Sequence, residues 1–353
     1  MSVAFPFAPV GDNAVGGAEQ ILSNLDRALT MAGHTSLVIG CKGSQAAGTL
    51  FSFQLSSHEY FADGDRRQCV RQVQGAIDRA LTEHRIDLIH MHGLDFHEYT
   101  LPTDIPALVT LHLPPSWYPS AIWQTFQNRV QFQCVSETQR HLLPVLHDVP
   151  VIENGVDLPP LRNPTAPRDY ALVLGRVCPE KNARAALEAG TLAGTRVFIG
   201  GYVYPYSEHQ RYFHEQIEPL LERSAPGVEH RFLGPLARTC REELLSQAKC
   251  LLHPTLAPET SSLVAMEAMA SGTPVIAYRS GALPEIVKDG VTGFLVDSVE
   301  EMAEAIRNVP AISREACRAE AEQRFSSERM VQGYFRLYRS LLLAQHAKFA
   351  YAQ

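Results

Sequence analysis

Residues 257–274 read Ala-Pro-Glu-Thr-Ser-Ser-Leu-Val-Ala-Met-Glu-Ala-Met-Ala-Ser-Gly-Thr-Pro. Pro258 and the hydroxyl run Thr260-Ser261-Ser262 read as a loop feeding a helix, because hydroxyl side chains satisfy the orphan N–H groups of a first turn. Leu263 to Ala270 carries helix formers, and Ser271-Gly272 stops them. An apolar strand, Pro274 to Tyr278, follows at once. Glu259 therefore sits just before a helix N-terminus, and Glu267 lies more than a turn inside. Such an N-terminus is an anion site. A carboxylate beside it is unfavourable unless it binds something else, such as hydroxyl groups. Phosphate on the helix and hydroxyls on the carboxylates describe a sugar nucleotide.

Outward from this stretch, strand and helix alternate along the chain, which predicts parallel sheets. Val3–Phe7 reads as the first strand and Leu37–Ile39 as the second, with residues 41–64 as loop. Between them Ala18, Leu22, Leu25, Leu29 and Ala32 share one helical face that Gly33 closes. Gly16 and Gly17 lie between that strand and helix, where missing side chains let a ligand reach backbone N–H groups; a tight turn without ligand is the other reading. They do not form a G-x-G-x-x-G dinucleotide fingerprint. Asp87–His92 and Ala107–His112 are further strands. His112 sits at a strand end, where open α/β sheets bind ligands. Gln131–Ser136 is another strand, followed by a helix through His147. Val151–Asp157 then runs into Pro159, Pro160, Pro164 and Pro167, a linker signal. The pattern restarts at Tyr170–Arg176, followed by a helix to Ala193. Later come a strand from Arg196 to Gly201, a helix from Glu208 to Arg223, a strand from Val228 to Leu233, a helix from Glu242 to Ala248 and a strand from Cys250 to Pro254. Helices over 299–308, 313–324 and 328–344 close the chain.

Two patterns suggest metal and are read otherwise. Asp63-Gly64-Asp65 is a D-x-D, but it precedes a helix (Arg66 to His84) instead of ending an apolar strand, so an acidic first turn is the reading taken. His90 and His92 share a strand face, with His97 nearby; without a carboxylate or thiolate partner they read as hydrogen-bonded histidines at a sheet edge. His253, at a strand end, reads as structural.

Composition bounds the function. The chain has 353 residues, 45% hydrophobic and 20% charged, with a net charge of -7. Length and composition suit two globular domains. Residues 1–165 hold ten Lys/Arg against sixteen Asp/Glu, and the remainder twenty-one against twenty-two. This balance argues against a large nucleic-acid footprint and limits membrane contact to a peripheral one. Seven scattered cysteines, odd in number and without a C-x-x-C pair, fit reduced thiols in a cytoplasmic protein. The start of the chain predicts no signal peptide, and no apolar run is long enough to span a bilayer.

Several of these segments resemble the retaining glycosyltransferases of the GT-B fold, family 4 type. The Glu259/Glu267 pair is similar to their E-x7-E motif, Gly175-Arg176 with Glu180-Lys181 to their G-R-x-x-x-E-K segment, and Asn154-Gly155-Val156-Asp157 to the end of their first domain. Residues 280–296 also fit the family pattern. The resemblance is strongest over 172–296 and weaker over 40–130, where the acceptor is expected. It implies two Rossmann-like α/β domains facing each other across a cleft: an acceptor-side domain over 1–160, a donor-side domain over 161–330, and a last helix, 331–353, crossing back to the first. It implies sugar transfer from a UDP-, GDP- or ADP-sugar to an acceptor hydroxyl with retention, in glycan, polysaccharide or glycolipid synthesis, without metal or other cofactor. Arg176 offers a planar donor fork and Lys181 a point charge, which together can neutralise a diphosphate. Gly16, Gly17, Ser261, Ser262 and Leu263 would bind the donor through backbone and hydroxyl groups. Glu267 would take the ribose diol, while Glu259 and His112 would act at the transferred sugar. A nucleotide-sugar 2-epimerase of the same fold and a non-catalytic sugar-nucleotide binding protein are the two alternatives.

Overall fold

The computed structural model describes residues 1–12, 14–55, 63–127, 129–143, 148–161, 169–223 and 227–351. The chain forms two compact units, Met1–Asn154 with Glu328–Gln353, and Gly155–Ser327. The crossings between the units fall at 154/155 and 327/328; the family resemblance implied 160/161 and 330/331.

The strands of the first unit are β1 (Ser2–Val3), β2 (Leu37–Cys41), β3 (Thr49–Phe53), β4 (Ile89–Met91), β5 (Ala107–Leu111) and β6 (Gln131–Cys134). They form one parallel sheet in the order β3-β2-β1-β4-β5-β6. Its helices are α1 (Gly17–Met31), α2 (Asp63–Glu83), α3 (Ile122–Phe126) and α4 (Glu137–His141). β1 is shorter than the sequence suggested, because Pro6 cannot donate to a ladder and the chain turns there. β3 lies inside the segment read as loop. It is an edge strand whose register on β2 runs from Leu37–Thr49 to Cys41–Phe53, with Phe51 and Phe53 buried. The buried side of α1 is Ile21, Leu22 and Leu25; Ala18 and Leu29 are half-buried and Ala32 is exposed. α4 ends at His141, short of the expected His147, and residues 144–147 lie outside the described set. Asp63 and Asp65 fall in the first turn of α2 instead of at a strand end; their side chains lie outside the described set.

The second unit carries β7 (Tyr170–Leu174), β8 (Arg196–Gly200), β9 (Arg231–Gly234), β10 (Cys250–His253), β11 (Val275–Tyr278) and β12 (Gly293–Val296). The order is β12-β11-β10-β7-β8-β9, again all parallel. Helices α5 (Ala183–Leu192), α6 (Ser207–Tyr212), α7 (Glu218–Glu222), α8 (Arg238–Gln247), α9 (Leu263–Ala270), α10 (Leu283–Ile286), α11 (Val299–Asn308) and α12 (Arg314–Arg324) cover it. A π-helical turn over Phe213–Ile217 joins α6 to α7. The sheet is buried on both faces, and side-chain alternation shows it. Leu172 and Leu174 enter one core with Leu251, Val275 and Ala277. Ala171 and Val173 enter the other with Leu252 and Ile276. That double burial explains the near-continuous apolar runs.

α13 (Ser327–Tyr351) belongs, from Glu328 on, to the first unit. Its Tyr334 and Tyr338, one turn apart, bring hydroxyls to the sheet. Tyr338 Oη lies 2.7 Å from His90 Nδ1, and Tyr334 donates to Gln133 Oε1 at 2.9 Å. Thr110 Oγ1 lies 2.7 Å from His90 Nε2, closing a buried polar column. His90 is thus a satisfied core histidine, but on an interior strand and not at a sheet edge.

Candidate active site

In the second unit β7 and β10 are neighbours, so the loops leaving their C-terminal ends lie side by side. Hydrogen bonds knit those loops together. Leu256 N–H donates to the Glu180 carbonyl at 2.8 Å and Thr255 Oγ1 to the same oxygen at 3.1 Å. The loop after β11 closes on them from the other side. Ala282 N–H donates to the Glu259 carbonyl at 2.7 Å, and Ser280 Oγ donates to the Ala257 carbonyl at 2.8 Å. Gly281, at φ 56°, makes this approach possible: a Cβ there would lie 2.1 Å from the Glu259 carbonyl oxygen.

Glu259 is thereby fixed, and its side chain meets a cation. Lys181 Nζ pairs with Glu259 Oε1, and His253 Nε2 lies 3.5 Å from the same oxygen. Burial pushes the Glu259 carboxyl up, but the His253 hydrogen bond and the Lys181 charge outweigh it and hold the group at about 2. Ser262 is the N-cap of α9 and accepts from Ala265 N–H at 3.4 Å; its Oγ lies 3.3 Å from His253 Nε2. The sequence assigned Lys181 and Glu259 to different parts of one ligand, and the structure pairs them with each other. A mostly buried carboxylate without substrate needs a cation, and Lys181 supplies it.

Arg176 is exposed on the same β7–α5 loop, and its charge reaches Glu180 and His209. Ser261 Oγ is buried and has no hydrogen-bond partner among the described residues. It is a polar atom at a helix start with capacity to spare. Leu263 opens α9 and packs on the core below. Glu267 lies further along α9, 24% exposed, with Arg241 of α8 at 4.0 Å. Burial raises its carboxyl, against the opposing charges of Arg241 and Arg238.

The first-unit candidates have their own surroundings. Gly16 is the N-cap of α1, and a Cβ there would sit 1.9 Å from Glu19 Oε2. The Glu19 carboxyl folds back over its own helix start, the position that Gly16 and Gly17 were expected to offer a ligand. Burial lifts that carboxyl to about 7, against the lowering effect of its hydrogen bond with its own backbone. His112 follows β5, with His92 Nδ1 at 3.1 Å from its Nε2 and the rings stacked. Burial lowers the imidazole to about 4, so His112 is neutral at neutral pH.

Three residues escaped the sequence reading. His253 looked structural but touches Glu259. Arg241 was lost because the helix was started at Glu242, whereas α8 begins at Arg238; the Arg238/Arg241 spacing was the available sign. His92 was read with His90 as a hydrogen-bonded histidine at a sheet edge, and its partner is the candidate His112.

Two units, each a parallel six-stranded sheet covered by helices, with a cation and carboxylates at the strand ends of the second, define the two-Rossmann-domain class known as GT-B. A profile described as "Glycosyl transferases group 1" matches residues 162–324, and one described as "Glycosyltransferase Family 4" matches residues 15–159. The chain belongs to this glycosyltransferase family. It resembles the sucrose-phosphate synthase of Thermosynechococcus elongatus at a TM-score of 0.78, with 19% identity over 97% of this chain and 99% of that one. It also resembles the Anabaena protein HepE, solved with UDP and glucose, at a TM-score of 0.72, with 20% identity over 96% of this chain and all of that one, 100%. Sequence relatives include the D-inositol 3-phosphate glycosyltransferases of Corynebacterium diphtheriae, 51% identical over 75 residues (20% of this chain, 17% of that protein), and Mycobacterium bovis, 32% identical over 173 residues (45% and 35%). The chain thus spans about a sixth to a third of the length of these curated relatives.

Proposed function

We propose that the chain transfers a sugar from a nucleoside-diphosphate sugar to an acceptor hydroxyl, with retention of anomeric configuration, in glycan, polysaccharide or glycolipid synthesis. The observation that carries this reading is the Lys181–Glu259–His253 cluster, set at the ends of β7 and β10 beside the start of α9.

Negative charge builds on the departing diphosphate as the glycosidic bond breaks. Lys181, Arg176 and the N–H groups at the start of α9 meet that charge with donors fixed in advance. Lys181 leaves Glu259 for the phosphate, and Glu259 turns to the sugar hydroxyls with His253 still beside it. Ser261 Oγ and Ser262 add hydroxyl contacts, and Leu263 brings its backbone N–H. Glu267 accepts from the ribose diol, each such charged bond contributing about 1.5–3 kcal/mol. Neutral His112, together with the Gly16–Gly17 backbone, serves the transferred sugar and its phosphate from the first unit, after Glu19 yields its place. No metal or other cofactor enters the reaction, and the site of action is cytoplasmic.

The test is incubation with UDP-, GDP- and ADP-sugars and a panel of acceptors, with products resolved by chromatography and anomeric NMR. Release of nucleoside diphosphate with an α-linked product from an α-donor is expected, with no rate gain from added Mg²⁺ or Mn²⁺. A new epimer of the donor, or tight nucleotide binding without turnover, would replace this reading with one of its two alternatives.

A further inference from the structure

We propose that Cys178, Glu180 and His209 form a zinc site at the strand ends of the second unit, distinct from the Lys181–Glu259 cluster. One donor atom from each, a sulfur, a carboxylate oxygen and a ring nitrogen, lie within 4.8 Å of one another. Among the described residues this is the group of three His, Cys, Asp or Glu side chains that closes so tightly.

The backbone builds the arrangement. Val177 N–H donates to the Tyr202 carbonyl at 3.0 Å, tying the loop after β7 to the loop after β8. Lys181 and Asn182 N–H both donate to the Cys178 carbonyl, at 3.2 and 3.3 Å, and Asn182 takes φ 53°. Cys178 and Glu180 are therefore held in one tight turn. His209 comes from α6, with the rings of Tyr206 and Tyr204 edge-on to its imidazole at 5.2 and 6.3 Å.

A second observation points to a ligand. His209 is 7% exposed, yet its Nδ1 has no hydrogen-bond partner among the described residues. Buried polar atoms are nearly always paired, so an imidazole with an unmet nitrogen, set beside a thiol and a carboxylate, asks for an occupant.

The donor set selects the ion. Thiolate, imidazole and carboxylate together suit zinc, whereas Mg²⁺ and Ca²⁺ prefer all-oxygen sites. Bonds of about 2.0–2.3 Å in a tetrahedron keep donor atoms roughly 3.3–3.8 Å apart. The site must therefore contract by up to about 1.5 Å, which Glu180, exposed and on a flexible stem, can supply. The Cys178 thiol now donates its S–H to the Arg176 carbonyl at 3.8 Å. Binding replaces that S–H bond by a Zn–S bond and releases one proton to solvent. Three protein donors leave a fourth position for water. The nearby charge of Arg176 acts on all three groups, so the affinity falls below that of a closed four-ligand structural site. A bound ion would pin the Arg176–Lys181 loop to α6. None of this rests on the transferase reading.

The experiment is titration of the full chain with Zn²⁺ against a chromophoric chelator, with Co²⁺ as an optical probe. One Zn²⁺ per chain is expected, unaffected by Mg²⁺ and weakened at least about tenfold in Cys178→Ser, Glu180→Gln and His209→Gln. Co²⁺ should give a thiolate charge-transfer band that vanishes in Cys178→Ser and persists in Cys240→Ser, which removes the exposed thiol. Absence of stoichiometric binding, a Co²⁺ complex without the thiolate band, or equal affinity in Glu180→Gln would overturn the site. Glu180→Gln changes an exposed side chain, so it decides the matter even if the buried variants misfold.

Discussion

At the residue scale, the paired Lys181 and Glu259 make a prediction that needs no substrate. Their side chains are 25% and 15% exposed, so removing the cation strands a carboxylate. Lys181→Ala should cost about 1–3 kcal/mol of unfolding free energy. Lys181→Ala with Glu259→Ala should cost less than the sum of the two single changes, by a coupling of about 0.5–3 kcal/mol. Denaturant melts of the four proteins in the cycle measure it, and simple additivity would deny the pair any coupling. Glu259 is held at about 2, below its ordinary 4.5. Its contribution is therefore complete above about pH 4.5 and is lost as pH falls through about 2. Glu259→Gln should flatten stability against pH over that interval. In catalysis the defects should separate: Glu267→Ala raises donor KM, while Arg176→Ala and Lys181→Ala mainly lower kcat, as steady-state kinetics would read.

At the element scale, loop closure sets the position of Glu259. Gly281→Ala puts a methyl 2.1 Å from the Glu259 carbonyl oxygen in a left-handed backbone. It should therefore lower both stability and turnover, whereas Gly290→Ala, at φ 71° with open space around it, should lower stability alone. The start of α1 carries the opposite sign to Glu259. Glu19 is raised from 4.5 to about 7, so the folded state favours its protonated form. Its favourable contribution is present below about pH 4.5 and is lost as pH rises through about 7. Glu19→Gln should remove that loss, leaving a chain more stable at pH 8 by up to about 3 kcal/mol in thermal or urea unfolding. What the sequence made legible follows the same scale. α9 came out to the residue, Leu263 to Ala270, because Ser262 caps it and Gly272 at φ 69° ends it. β3 was missed because its five residues sit among small and polar neighbours that read as loop, and α8 was started a turn late because no side chain caps its start, although Arg238 and Arg241 favour a helix. His253 could be placed at a strand end but not against Glu259, since the loop between them is folded by bonds from residues 180 and 280–282, far away in sequence.

At the scale of the whole molecule, each unit buries its own apolar core, and alternation along every central strand of the second unit sends side chains to both faces. The two-domain α/β class was legible from the alternation of strand and helix along the chain and from the proline-rich run. The acceptor was not, because residues 40–130 carry the weakest pattern and no side chain there names a ligand. Leu172→Ala should destabilise the second unit by about 2–5 kcal/mol, seen as a lower unfolding midpoint. A nucleoside diphosphate that binds the native chain should raise the midpoint, by about 2.7 kcal/mol of apparent stability at a hundredfold excess over Kd. The most direct test is calorimetric titration of UDP, GDP and ADP into the wild type, Arg176→Ala and Lys181→Ala. One nucleotide should bind with one-to-one stoichiometry and lose roughly tenfold to a hundredfold in affinity in each variant. Equal affinity in all three proteins would place the diphosphate elsewhere and contradict the account.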